Sequence, residues 1–230
     1  GCHSTPAGAR GPRFLAQDGV GCEGCHGAAS GWIATHYAVG ATHAANVVNG
    51  MTALDRPQVR AGVCLDCHFG SARPGQFVDH RMMAAGHPRV SFELDLFSTM
   101  QAHHNEDADY ARRKGRTDSL KLWAVGQASA VERALTLYSS AKGSEGAFPE
   151  FYFFDCQSCH RRIYDQAERS KTWEANPGRP IPAGMPPFND ENMIMLSAAA
   201  RVIAPGQAGR FDADSRAFHA ALARDRPAAI

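Results

Sequence analysis

The 230-residue chain has no run of about 18 apolar residues, so no stretch of it reads as a helix that crosses a membrane. It has no excess of either charge, since 24 Lys and Arg stand against 23 Asp and Glu, a formal net charge of +1. A nucleic-acid binder would carry a basic stripe, and that class is excluded. Apolar and polar residues never alternate for long enough to build a sheet. The length allows one large domain or two small ones with a sizeable core. Against this background seven Cys and 11 His stand out.

Their positions form a pattern. Cys22-Glu23-Gly24-Cys25-His26, Cys64-Leu65-Asp66-Cys67-His68 and Cys156-Gln157-Ser158-Cys159-His160 are three complete C-x-x-C-H motifs. Chance alone gives roughly 0.01 copies in a chain of this composition. The seventh cysteine, Cys2, is followed by His3, which is the end of a further such motif, the first of four in chain order, if its first Cys precedes Gly1. C-x-x-C-H is the attachment signature of haem c: two thiols add to the porphyrin vinyl groups and the adjacent His binds the iron. The predicted attachment residues are therefore Cys2, Cys22, Cys25, Cys64, Cys67, Cys156 and Cys159. The predicted proximal ligands are His3, His26, His68 and His160, for four haems in this segment.

Other readings of the same residues are weaker. A zinc site needs four donors closed in one place, usually as two regularly spaced half-sites, whereas here each separated Cys pair carries its own His. A disulfide framework built from C-x-x-C pairs would staple very little chain. Gly1-Cys2 also resembles the end of a lipoprotein signal, but that reading leaves His3 without a role. Haem attachment takes place outside the cytoplasm, so a periplasmic or extracellular protein with a signal peptide upstream is expected. Four haems also change the charge, to about −3 oxidised and about −7 reduced.

Seven histidines remain: His36, His43, His80, His87, His103, His104 and His219. An electron-transfer haem takes a sixth ligand, His or Met, whereas a reactive haem leaves that position open. His80 and His87 are seven residues apart and would share a face if their segment were one helix. Met82, Met83 and Met100 are alternative ligands, although Met more often packs a core. Asp79, Glu93 and Asp155 are candidates to hold an imidazole N–H, or else are ordinary solvated carboxylates.

Gly19-Val20-Gly21-Cys22-Glu23-Gly24-Cys25-His26-Gly27, followed by Trp32 and Thr35-His36, resembles the tetrahaem cytochromes related to the electron-accepting partner of hydroxylamine oxidoreductase. Val78-Asp79-His80, the stretch Ala85-Gly86-His87-Pro88-Arg89-Val90-Ser91-Phe92-Glu93 and Phe154-Asp155-Cys156-Gln157-Ser158-Cys159-His160 resemble a broader group of bacterial multihaem cytochromes with the same opening. The resemblance covers roughly 1–165 and is weak beyond it. It implies that His36 caps the haem held by Cys64, Cys67 and His68, and that His80, His87 and His104 are further distal ligands. Adjacent His103 and His104 would point about 100° apart in a helix, and the resemblance selects His104. The chain lacks the family's first C-x-x-C-H and its Trp-x-x-x-x-His element, so further haem is expected upstream. In the tetrahaem relatives the haem before the Gly-Val-Gly-Cys-Glu opening is five-coordinate, and its counterpart here sits on Cys2 and His3.

The expected fold is mainly α with extensive loops and little or no β, wrapped around closely packed haems. Helices are predicted over about 118–142, with Asp118 or Thr117 as cap and Leu120, Trp123, Ala124, Ala128, Val131, Ala134, Leu135 and Tyr138 on its apolar face. Two more are predicted over about 190–204, stopped by Pro205-Gly206, and about 214–225. Phe151-Tyr152-Phe153-Phe154 reads as an aromatic wall or plain core rather than a strand. Residues 1–165 form the predicted haem-binding domain, and 166–230 a wrapping loop (174–189) with C-terminal helices.

Three functions fit. The first is transfer of single electrons between redox partners, a donor and an acceptor, through bis-His haems of mostly negative potential. The second is a haem enzyme acting on nitrite or hydroxylamine at one open iron. The third is a conduit of subunits joined end to end, as a homo-oligomer or filament. The surplus of His favours the first.

Overall fold

Several of the helices start at a capping side chain (Thr42, Asp79, Glu93, Asp107 and Asp118), and they are joined by 3-10 turns and loops. The computed structural model describes residues 1–6, 10–143, 150–160, 181 and 185–224. In chain order its helices are α1 (Glu23–His26), α2 (His43–Val48), α3 (Pro57–His68), α4 (His80–Ala84), α5 (Leu94–Met100), α6 (Ala108–Lys114), α7 (Ser119–Ser139), α8 (Glu191–Ile203) and α9 (Pro205–Leu222). Among the described residues there is no sheet, and extended pairing is limited to a bridge between Phe154 and Phe188. The chain is mainly helical with almost no strand, as its lack of alternation implied.

The three carboxylates considered as imidazole partners are helix caps. Asp79 accepts from Met82 N–H at 2.8 Å, Glu93 from Asp95 and Leu96 N–H at 3.0 and 2.6 Å, and Asp155 from Ser158 N–H at 2.8 Å. Each satisfies a first-turn donor that has no intrahelical partner, a contribution of about 1 kcal/mol per cap. Asp118 does the same for α7, accepting from Lys121 N–H at 3.0 Å.

Two compact units emerge: Gly1–Phe77 with Arg89–Arg133, and Val78–Pro88 with the described residues from Ala134 onward. This division differs from the 1–165 and 166–230 segments of the sequence reading, because the fourth motif shares a unit with the C-terminal helices.

The core of the first unit is small. Ala61 and Leu65 of α3, Leu94 of α5, and Leu122 and Ala130 of α7 pack together, with Cys64, Phe69 and Phe92 against them. On α7 the buried face includes Leu122, Ala130 and Leu137, whereas Leu120 and Ala128, expected inside, are exposed. Arg133, on the same helix, donates to Asp66 Oδ1 at 2.9 Å and to the Gly70 carbonyl at 2.7 Å, fixing the end of α3.

The second unit is built on aromatic rings. Tyr138 packs on Phe153, Phe188 and Phe218 at centroid distances of 5.6, 5.5 and 6.2 Å. Tyr152, Phe153 and Phe154 are buried, and Phe151 alone of that run is exposed, so the run is chiefly core. Pro205 was expected to stop the helix before it, and α8 does end at Ile203, but Pro205 also starts α9. Its ring presets the φ of a first helical residue, where no N–H is needed, and the break falls one residue earlier at Ala204 (φ −144°, ψ 56°). Consequently α9 begins nine residues before the predicted 214. Of the loop predicted over 174–189, only 181 and 185–189 lie among the described residues.

Candidate functional site

Each complete motif winds through one helical turn. In the second motif His26 N–H donates to the Cys22 carbonyl at 2.9 Å, and in the fourth His160 N–H donates to the Cys156 carbonyl at 2.8 Å. The third motif is the last turn of α3. Residues at i, i+3 and i+4 share a helix face, so this winding puts two thiols and an imidazole on one side of the chain. In the third motif the residue between, Leu65, is turned into the core and anchors the turn. In the second, Gly27 leaves the turn at φ 80°, where a Cβ would lie 2.8 Å from the Gly50 carbonyl oxygen.

No disulfide joins any of the seven cysteines, all of which lie among the described residues. Burial is the main cause that raises the Cys25, Cys64 and Cys67 thiols. Cys67 is pushed up to about 12, by burial first and then by Cys2, which shares a thiol hydrogen bond with it, by Asp66 and by Cys25. Cys25 also raises Cys64. Attachment residues of the first three motifs therefore lie within electrostatic reach of one another in the first unit. They do not close into a single-ion site: among the described residues no group of three or more His, Cys, Asp or Glu is placed to hold one metal ion. That is the arrangement a zinc reading would require.

The imidazoles come together in two places. His26 of the second motif and His103 have ring centroids 5.9 Å apart, with planes at 86°. His160 of the fourth motif and His80 have centroids 6.1 Å apart, with planes at 40°. Two imidazoles that bind one metal from opposite sides, each nitrogen about 2.0–2.1 Å from it, hold their centroids roughly 6 Å apart. Both pairs match that spacing. Burial first, and then the nearby His103, lower the pKa of His26, which favours the neutral ring that binds metals.

Besides His219, four imidazoles are held through Nδ1 by a backbone carbonyl: His36 by Ile33 at 2.6 Å, His68 by Ser91 at 3.1 Å, His87 by Pro88 at 2.7 Å and His103 by Gln101 at 2.9 Å. An Nδ1–H so engaged leaves the lone pair on Nε2, which is how a metal-binding His is usually oriented. In the second unit His80 N–H donates to Glu150 Oε1 at 2.9 Å, and the His80 ring meets Phe151 at 5.3 Å.

The remaining histidines are engaged differently. His43 Nε2 bonds Asp55 Oδ1 at 2.8 Å near the surface. Fully buried His219 donates from Nδ1 to the Ser215 carbonyl at 2.8 Å, with Nε2 3.3 Å from Asp190 Oδ2. His104 Nε2 lies 4.0 Å from Glu106 Oε1, and its ring lies 5.1 Å from Tyr110. His80 and His87 do not share a helix face, since α4 ends at Ala84 and Gly86 turns the chain at φ 103°. Met82 and Met100 are exposed rather than packed.

One buried donor is left over beside these rings. The Trp32 indole N–H has no partner, although the ring is 8% exposed and lies 6.5 Å from His26 and 5.7 Å from His36. A buried N–H calls for an acceptor. A haem propionate is one, and so the residues present fit a haem c at the second motif: two thiols, two opposed imidazoles and an indole donor.

Glu150 was not identified from the sequence, Trp32 was noted only as part of the resemblance, and His103 was passed over in favour of His104. Sequence spacing does not separate His103 from His104, and only the Gln101 carbonyl and the facing His26 distinguish them. None of the known protein families, curated proteins and solved structures with which the chain was compared matches it.

Proposed function

We propose that this chain is a multihaem c-type cytochrome, akin to the tetrahaem cytochromes its motifs resemble, that moves single electrons between redox partners outside the cytoplasm. Three haems attach at the complete motifs, with His26, His68 and His160 as proximal ligands, and Cys2 with His3 takes a fourth. The observation that carries this reading is the coincidence of C-x-x-C-H turns with second imidazoles whose centroids lie 5.9 and 6.1 Å from the motif imidazole in two of them. Haem c supplies a one-electron iron couple, and imidazoles on both sides of that iron keep substrates off it.

The polypeptide's own part is to aim the rings. Backbone carbonyls at residues 33, 88, 91 and 101 hold Nδ1–H of His36, His87, His68 and His103, leaving Nε2 as the donor atom. The convergence of Cys2, Cys25, Cys64 and Cys67 supports closely spaced haems in the first unit, which short electron steps need. The protein's task on this reading is electron transfer rather than catalysis, with other redox proteins as donor and acceptor.

Optical and magnetic spectra of the oxidised protein test the proposal. Low-spin haem throughout, with no rapid binding of cyanide, is the expected result. One stoichiometric high-spin iron that takes a small ligand would favour a haem enzyme instead.

A further inference from the structure

We infer that His103, and not the adjacent His104, is the second axial ligand of the haem attached through Cys22 and Cys25, opposite His26. The inference rests on the haem reading above and departs from the ligand set that family resemblance implied. Three observations carry it. The His103 and His26 ring centroids are 5.9 Å apart, the spacing of two imidazoles on one metal. His103 Nδ1 is engaged by the Gln101 carbonyl at 2.9 Å, so its lone pair sits on Nε2. The same carbonyl also prevents the ring from turning its Nδ1 toward a metal.

The neighbouring histidine has neither property. The two side chains are not on a helix, and their rings stand at 87° to one another, 5.7 Å apart. When one faces His26 the other is directed elsewhere. His104 is directed to Glu106, 4.0 Å from its Nε2, and its ring lies along Tyr110.

The assignment has a spectroscopic consequence. The His26 and His103 planes stand at 86°, whereas the His80 and His160 planes stand at 40°. Nearly perpendicular imidazoles produce a low-spin iron with a strongly anisotropic magnetic signal, and less crossed ones a rhombic signal. The haem on the second motif should give the anisotropic signal.

The experiment uses the full protein with its covalent haems and the variants His103→Ala, His103→Met and His104→Ala. In His103→Ala one haem per chain should become high-spin, lose the anisotropic signal and bind one equivalent of cyanide, and added imidazole should restore the low-spin state. His103→Met should remain low-spin with one potential raised, because Met opposite His raises the potential of haem iron. His104→Ala should leave every haem low-spin and every potential in place. Should His104→Ala open an iron while His103→Ala does not, or should neither open one, the inference is wrong and the cytochrome reading survives. A native protein that carries no covalent haem would overturn both.

Discussion

The two units solve the same problem, supporting C-x-x-C-H turns, with different amounts of polypeptide. The second unit packs Tyr138, Phe153, Phe188 and Phe218 edge to face around its single motif, a core that polypeptide alone completes. The first unit carries the other two complete motifs and Cys2, yet its buried cluster is Ala61, Leu65, Leu94, Leu122 and Ala130. Around its motifs Leu15, Val20, Ile33, Tyr37, Val39 and Val48 are exposed, Tyr37 at 75% and Val48 at 85%. Near the motifs in sequence, such apolar side chains would be covered if something else binds there. On the cytochrome reading that something is the macrocycles, so the first unit should depend on haem for its stability and the second should not.

The largest effect expected from this contrast comes from blocking attachment at the third motif. Cys64→Ala with Cys67→Ala should lose one haem and open the first unit, so that limited proteolysis cuts within residues 10–77 and 89–133 while 78–88, 150–160 and 185–224 stay protected. Equal cutting in both units would break the contrast.

A second variant approaches it from the other side. Phe153→Ala should cost about 3–5 kcal/mol, read as a lower midpoint of denaturation, because it removes a ring at 2% exposure from a closed aromatic cluster. It should leave the haem count unchanged. Haem lost in proportion to stability would mean that the second unit also leans on its cofactor.

Trp32→Phe probes a single atom. If a propionate accepts the indole N–H, the variant forfeits a hydrogen bond to a charged group, worth about 1.5–3 kcal/mol. One haem potential should then fall, because the unneutralised carboxylate favours ferric iron. A more stable protein with unchanged potentials would mean that the N–H has no acceptor.

The smallest effect lies in the C-terminal pair of helices. Ser197 Oγ and Arg201, the latter at 2.8 Å, donate to Asp212 and hold its carboxyl below the usual range. A carboxyl lowered in the folded state stabilises it above the unfolded pKa, about 3.9, and that stability is lost as pH falls through the lower folded value. Asp212→Asn should cost less than about 1 kcal/mol at pH 7, as expected for an exposed pair, and the deficit should fade below about pH 4 in thermal unfolding. A deficit that persists unchanged at pH 3 would assign it to packing.

Much of the architecture was legible because local chemistry determines it. The missing alternation predicted the absence of a sheet, and Asp118 marked the start of α7. Pro205 marked the end of α8 but not the start of α9, because proline both stops and starts helices, and the break at Ala204 between them leaves no sequence signal. The C-x-x-C-H turns were readable because their chemistry is contained in five consecutive residues. The partners of those turns were not: His103 meets His26 from beyond the third motif, and His80 meets His160 from before the long helix α7. Such pairings are made by tertiary packing, and neither residue type nor spacing records them.

The central claim is that the C-x-x-C-H turns carry haem, and the intact mass of the native protein tests it most directly. The expected result is the polypeptide mass plus four covalent haems, at least three of which stay bound after denaturation in acid. A mass equal to the bare polypeptide, or one explained by a bound metal ion alone, would contradict it.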